Sequence, residues 1–423
     1  MAKDKSLLED VSKYFTEETL QNIVGTLSNE DVKNVEVLSW DFGDANAKGD
    51  SYLSTVNKVT IKAKVKNQEK DVKIVVKSLP NNMGRRKTYR SADFFHNEIM
   101  FYTEIAATYE KYLKSKNQSS LLILPTCLAF HLDGENDYIA LEDVSPLGFG
   151  QAARQSCLTL EQSSYMLEAI ARFHGVSFAY KDQHKENFEK ITSKIFETYF
   201  TDELYKNWYK RFHARLLEIA KDALAKEYPN SKGEKQFNSY PPGVLYKKSA
   251  EFCSQWKATT SVVNQGDSWA PNFLIRTNPT GKPEVLLLDF QLARCVSPVL
   301  DLSFFIYSCT DQTLREKHFD DLLKIYHNEL SKTIKVLGSN PEKIYSWEQF
   351  SKEVKEQFVH GVTFGLESVT FGMLPADETF DLDVIKEDKV DIADVWTVQN
   401  IKTSEDRRRL AGIILHAADR GFL

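Results

Sequence analysis

The chain has 423 residues, 42% of them hydrophobic and 27% charged, which suits a folded globular protein too long for one compact core. Its net charge of −6, with both signs interspersed, excludes the basic patch that a nucleic-acid or anionic-membrane binder needs. The five cysteines, Cys127, Cys157, Cys253, Cys295 and Cys309, are odd in number and include no CxxC pair, so reduced thiols in the cytoplasm are expected in place of a disulfide framework or zinc site. The first residues lead into a charged amphipathic segment without the apolar core of a signal peptide, and no apolar run reaches membrane-spanning length. A cytoplasmic monomer is the expectation.

In chain order, residues 6–28 read as two short helices. Val59, Ile61, Ala63 and Val65 alternate with polar residues and predict a half-buried strand. A turn at 67–70 and a second strand at 72–76 complete a hairpin. A helix is expected over 92–113, then strands at 121–130 and 137–141 around a turn at Asp133-Gly134-Glu135-Asn136. Beyond Asp143 the pattern turns helical, over 161–180, 185–227 and 244–256, interrupted by strands near 273–276 and 284–288. Helices resume from about 300, with a long one over 315–337, while Pro229–Pro242 reads as a polar loop and the acidic stretch 379–394 as a solvated segment. The whole is an α+β chain, with a β-rich lobe over 1–140 and a mainly helical lobe over 141–423.

The strongest chemical signal is Gln265-Gly266-Asp267-Ser268-Trp269-Ala270-Pro271-Asn272, followed by Asp289-Phe290-Gln291. The two strands between them form a hairpin centred near residue 280, so Asn272 and Asp289 should face each other at its open end, with Asp267 one loop away. Two carboxylates and a carboxamide are hard oxygen ligands of the kind magnesium takes beside phosphate oxygens. Phosphoryl transfer requires such a set, with one Asp to orient and deprotonate a hydroxyl and an Asn and a second Asp to hold the metal. The assignment is Asp267 as base and Asn272 and Asp289 as metal ligands. The competing reading is that both aspartates cap turns.

A second signal lies in the first lobe. Lys77 ends the run Val72-Lys73-Ile74-Val75-Val76-Lys77, sharing a strand face with Val75. Glu98 falls on a helical stripe with Phe95, Tyr102, Ile105 and Tyr109, and a carboxylate on an apolar face needs a cationic partner. Lys77 is the natural one and would then be held ready for ATP phosphates. Glu98 at a solvated stripe edge is the alternative. A weaker signal is Lys48-Gly49-Asp50-Ser51-Tyr52-Leu53-Ser54, where Ser51 and Ser54 could offer donors to phosphates or belong to an ordinary polar turn.

Together with Ile74–Pro80, Leu141-Glu142-Asp143 and Ser297–Leu302, these motifs resemble the insect ecdysteroid kinase-like family, which is related to choline kinases and aminoglycoside phosphotransferases. The resemblance extends from about residue 35 to 335. It implies a two-lobed protein-kinase-like fold with ATP and magnesium between the lobes, and phosphorylation of a hydroxyl on an ecdysteroid or another small compound, in detoxification or hormone inactivation. It also maps Glu142 and Val144 onto the hinge that receives adenine through backbone groups. Trp269 two residues after Asp267, Gln291 where protein kinases have Gly, and the lack of an Ala-Pro-Glu segment speak against a protein substrate. Gln265 stands where such enzymes usually carry a supporting His, which keeps a catalytically silent binding module as the alternative. His174 is expected to be a packed, hydrogen-bonded histidine.

Overall fold

The computed structural model describes residues 3–44, 53–151, 157–374, 382, 385–386 and 388–423. The chain divides into two compact units, Met1–Thr103 with Pro125–Gly148 and Pro375–Asp391, and Glu104–Leu124 with Phe149–Leu374 and Ile392–Leu423. The fold is α+β, with an N-terminal antiparallel sheet followed by a mostly helical region.

Among the described residues of the first unit, β1 (Val35–Asp44), β2 (Thr55–Val65), β3 (Gln68–Ser78), β4 (Cys127–His131) and β5 (Tyr138–Glu142) form one sheet in the order β1-β2-β3-β5-β4. The β2–β3 hairpin is longer than its alternation suggested. It closes on Lys66 and Asn67, at φ 47° and 66°, in place of a turn over 67–70. Two consecutive positive φ values match the right-handed twist of the flanking strands. Val59, Ile61 and Ala63 of β2 and Val72, Ile74 and Val76 of β3 point into a core shared with Leu20, Ile23 and Val24 of the helix Glu17–Ser28.

Several sequence expectations need correction. β1 was not expected, because a bulge between Val37 and Ser39 puts Val37 and Trp40 on one buried face at odd spacing and hides the alternation. The helix expected over 92–113 is present as Ser91–Met100 and Ala107–Ser115, joined by a π-helical stretch, Phe101–Ala106. A further helix, Met83–Tyr89, precedes it, set off by Arg90 at φ 53°. The strand expected from residue 121 begins only at Cys127. The acidic stretch is not simply solvated. Ile385 is buried and its carbonyl accepts from Asn82 Nδ2, while the Val390 amide donates to Thr88 Oγ1.

In the second unit, β6 (Gly150–Gln151), β8 (Phe273–Thr277) and β9 (Pro283–Leu287) form one small sheet, and β7 (Val262–Asn264) pairs with β10 (Arg294–Val296) in another. The helix Leu160–Gln183 opens with a capping box between Thr159 and Gln162 and packs along Gln312–Val336. The polar stretch expected as a loop contains a helix, Lys232–Asn238, capped by Ser231. The helical span 185–227 is broken near residue 197, where Glu197 Oε1 accepts from the amides of Tyr199 and Phe200, each at 2.8 Å. The five cysteines are free.

Candidate active site

The segment after β7 turns sharply at Gly266, whose φ is +86° and where any Cβ would run into the Leu292 carbonyl. Its backbone is held by Asp301, 2% exposed on the helix Val299–Cys309, whose Oδ2 accepts from the Gln265 amide at 2.7 Å and Oδ1 from the Gly266 amide at 2.9 Å. Behind Asp301, His174 Nε2 lies 3.2 Å from Oδ2, and His174 Nδ1 lies 2.7 Å from the Tyr326 hydroxyl. His174 is therefore the packed, hydrogen-bonded residue its helical spacing suggested.

Gln265 is the second support. Its Nε2 donates to the carbonyls of Leu288 (2.7 Å) and Asp289 (3.1 Å), and its Oε1 accepts from the Asp267 amide (3.1 Å) and Ser268 Oγ (2.8 Å). Two donated and two accepted bonds use the full capacity of a carboxamide. One buried side chain thus ties the Asp267 turn to the backbone that carries Asp289.

Asn272 ends a short 3-10 turn, Ala270–Asn272, and its Nδ2 donates to both the carbonyl and Oδ2 of Asp267 at 2.9 Å. The β8–β9 register pairs Phe273 with Leu287, and the Leu288 amide donates to the Asn272 carbonyl, so Asp289 lies one residue beyond the position facing Asn272. Asp289 itself adopts φ +60°, a left-handed conformation costly for a residue with a Cβ. Burial first and the Asp289 charge second push the Asp267 carboxyl up to about 7, while the hydrogen bond from Asn272 opposes the shift.

No group of three or more His, Cys, Asp and Glu side chains placed to hold a metal occurs among the described residues. The donor set still fits magnesium, which commonly takes one or two carboxylates and completes its shell with water and phosphate oxygens. Asn272, with Nδ2 committed to Asp267, keeps Oδ1 for such an ion.

In the first unit, Lys77 on β3 and Glu98 on the helix Ser91–Met100 meet at 2.7 Å between Nζ and Oε1. The two side chains are 14% and 2% exposed, so Glu98 is an interior carboxylate and not a solvated stripe edge. Ser54 is buried immediately before β2, with its carbonyl accepting from Arg85 Nη2 at 3.2 Å, whereas Ser51 lies outside the described residues. Glu142 ends β5 opposite Ile74, with its amide donated to the Thr126 carbonyl and its Oε2 accepting from Thr126 Oγ1. Val144 follows, 7% exposed, its carbonyl accepting from the Leu147 amide.

Two residues on this framework escaped the sequence reading. Arg294, 3% exposed at the start of β10, donates Nη2 to the Gly266 carbonyl (3.1 Å) and Nε to the Leu292 carbonyl (3.2 Å). Its Nη1 lies 3.2 Å from Glu197 Oε2 and 3.2 Å from Cys253 Sγ. An arginine inside the apolar run Leu292–Val296 was the available signal, since a buried guanidinium requires an acid. Glu197 has no local pattern to betray it. Asp301 was noted only as part of a motif; a lone carboxylate within Val299–Phe305 is its signal.

No curated protein matches the chain. Among solved structures, it is similar to the Plasmodium vivax ethanolamine kinase, at 12% identity over 88% of this chain and 89% of that one, with a TM-score of 0.39. It is also similar to the GDP and kanamycin complex of APH(2")-IIia, at 12% identity over 82% and 97% of the two chains, TM-score 0.34. A third likeness is to the aminoglycoside phosphotransferase APH(3'')-Id from Streptomyces rimosus, at 15% identity over 77% and 92%, TM-score 0.31. These are distant likenesses, and the assignment rests on sequence. The sequence model of the ecdysteroid kinase-like family matches residues 48–339, a span that takes in Lys77, Glu98, Asp267, Asn272, Asp289 and Asp301. That span is well over half of the 423 residues, and the chain belongs to the ecdysteroid kinase-like family, among the small-molecule kinases.

Proposed function

We propose that this protein transfers the γ-phosphoryl group of ATP to a hydroxyl of a small molecule, an ecdysteroid or another hydroxylated compound, in hormone inactivation or detoxification. The observation that carries the reading is the fixed set around Asp267: Asn272 at 2.9 Å from its carboxylate, and Asp289 held at φ +60° on a backbone that Gln265 ties to the same turn.

In this reading Asp267 accepts the proton of the attacking hydroxyl, and its raised proton affinity, about 7, suits a general base at neutral pH. Asn272 and Asp289 hold magnesium, which supplies charge neutralisation for the phosphates when bound. Lys77, oriented by Glu98, serves the phosphates, with Ser54 and Ser51 as further donors to them, and Glu142 and Val144 receive adenine. Most of the rate enhancement then comes from positioning and electrostatics. The silent-module alternative drew only on Gln265, and the four side-chain bonds of that residue weigh against it.

The test is ATP consumption with magnesium against a panel of hydroxylated small molecules that includes ecdysteroids. Consumption that depends on one acceptor class supports the reading and names the substrate. ATP that raises the melting temperature without being consumed with any acceptor contradicts transfer and returns the binding module.

A further inference from the structure

Two backbone segments must stay in register for the proposed chemistry, the Gln265–Asp267 turn and the Phe290–Arg294 stretch that leaves Asp289. They cross where Gly266 meets the Leu292 carbonyl, a contact so close that only glycine fits. Arg294 bridges this crossing. One guanidinium face reaches the Gly266 carbonyl at 3.1 Å and the Leu292 carbonyl at 3.2 Å, one acceptor on each segment. The remaining corner lies 3.2 Å from Glu197 Oε2. Glu197 uses its other oxygen to organise the Tyr199–Phe200 turn, and the Tyr199 hydroxyl donates to Glu367 at 2.5 Å.

We propose that Arg294, with Glu197 as its counter-ion, is a positioning residue that sets the spacing of Asp267 against Asp289. The inference rests on the reading of those two aspartates given above. Arginine is required by geometry, because its planar fork donates at once to the Gly266 carbonyl, the Leu292 carbonyl and Cys253 Sγ while its charge faces Glu197, whereas a lysine ammonium keeps the charge but not the fork. Gln265 fixes the same two segments from Leu288 and Asp289, so the crossing is clamped on both sides of Asp289. The charge also has a job of its own. It attracts the acid side chains Glu197, Asp267 and Asp301, of which Asp301 is buried and the other two half-buried, and removing it takes that compensation from all three.

The experiment compares wild type, Arg294→Lys, Glu197→Gln and Asp267→Asn in three measurements: melting temperature, affinity for manganese in the presence of ATP read by electron paramagnetic resonance, and ATP turnover with water or panel acceptors. A displaced aspartate pair should cost about 10–100-fold in turnover. Arg294→Lys is expected to lose that much turnover and to bind manganese several-fold more weakly while remaining folded. Glu197→Gln, which still accepts from the Tyr199 and Phe200 amides, should move both in the same direction by less, and it carries the test if the lysine variant does not fold. Wild-type manganese affinity in a folded variant, with any loss of turnover matched by loss of folded protein, assigns Arg294 a merely structural part and overturns the proposal. Asp267→Asn separates this from the parent reading. If that variant turns over like wild type the base assignment fails, while the manganese measurement still judges Arg294.

Discussion

At the scale of single residues, two of the interior carboxylates, Glu98 and Glu367, make opposite demands. Glu98 is paired with Lys77, and removing one member of a buried pair leaves the other without its compensating charge, at on the order of 3 kcal/mol. Glu98→Ala should therefore lower the urea midpoint and weaken ATP binding about tenfold through a disordered Lys77. Unchanged ATP affinity in a folded variant would remove Lys77 from the nucleotide. Glu367 has no such cation among the described residues. Burial is the first cause that pushes its carboxyl up to about 8, although the Tyr199 hydroxyl donates to it. In the unfolded chain it titrates near the ordinary 4.5, so between that value and about 8 the native state binds more protons than the unfolded state. The stability it contributes is present below the lower value and is lost as pH rises through the upper one. Glu367→Gln, neutral at every pH, should flatten the fall of melting temperature across that window. A slope identical to wild type would show that Glu367 is ionised in the native protein.

At the scale of elements, the Gly266 turn is the most constrained backbone in the candidate site. A methyl at Gly266 meets both a positive φ and the Leu292 carbonyl, so Gly266→Ala should cost about 3 kcal/mol or more. Gly281 in the β8–β9 turn offers the control. Its φ is +79° but no atom lies within 4 Å of an added Cβ, and Gly281→Ala should cost only about 1 kcal/mol from backbone strain. Chemical unfolding of both variants measures the difference, and equal costs would show that the Leu292 contact is soft. The same turn shows why parts of the site were legible in sequence. Asp267, Asn272 and Asp289 are close along the chain and joined by one hairpin, so spacing alone brings them together. Arg294 and Glu197 come from distant segments, and their meeting depends on how the interrupted helical span 185–227 folds back, which no local periodicity encodes. β1 was illegible for a different reason, since its bulge breaks the period of two.

At the scale of the whole molecule, the α+β organisation was visible as a change of hydrophobic period, from two in β2 and β3 to the helical pattern beyond Asp143. What that pattern could not show is which distant segments join each unit. Residues 104–124 are grouped with the second unit, and the acidic stretch as far as Asp391 is grouped with the first, where Ile385 packs under Gly84 and the Asn82 side-chain amide. Buried polar residues such as Asp301, Gln265 and Arg294 then act as the fixed frame on which the Asp267 set is mounted. The whole account depends on that set performing phosphoryl transfer. The most direct measurement is the acceptor-dependent formation of phosphorylated product from ATP, by wild type and by Asp267→Asn at equal melting temperature. The account predicts product from wild type and a loss of at least about a thousandfold in the variant, the scale expected when a positioned base and its electrostatic environment are removed together. Product formed by Asp267→Asn at the wild-type rate would contradict it.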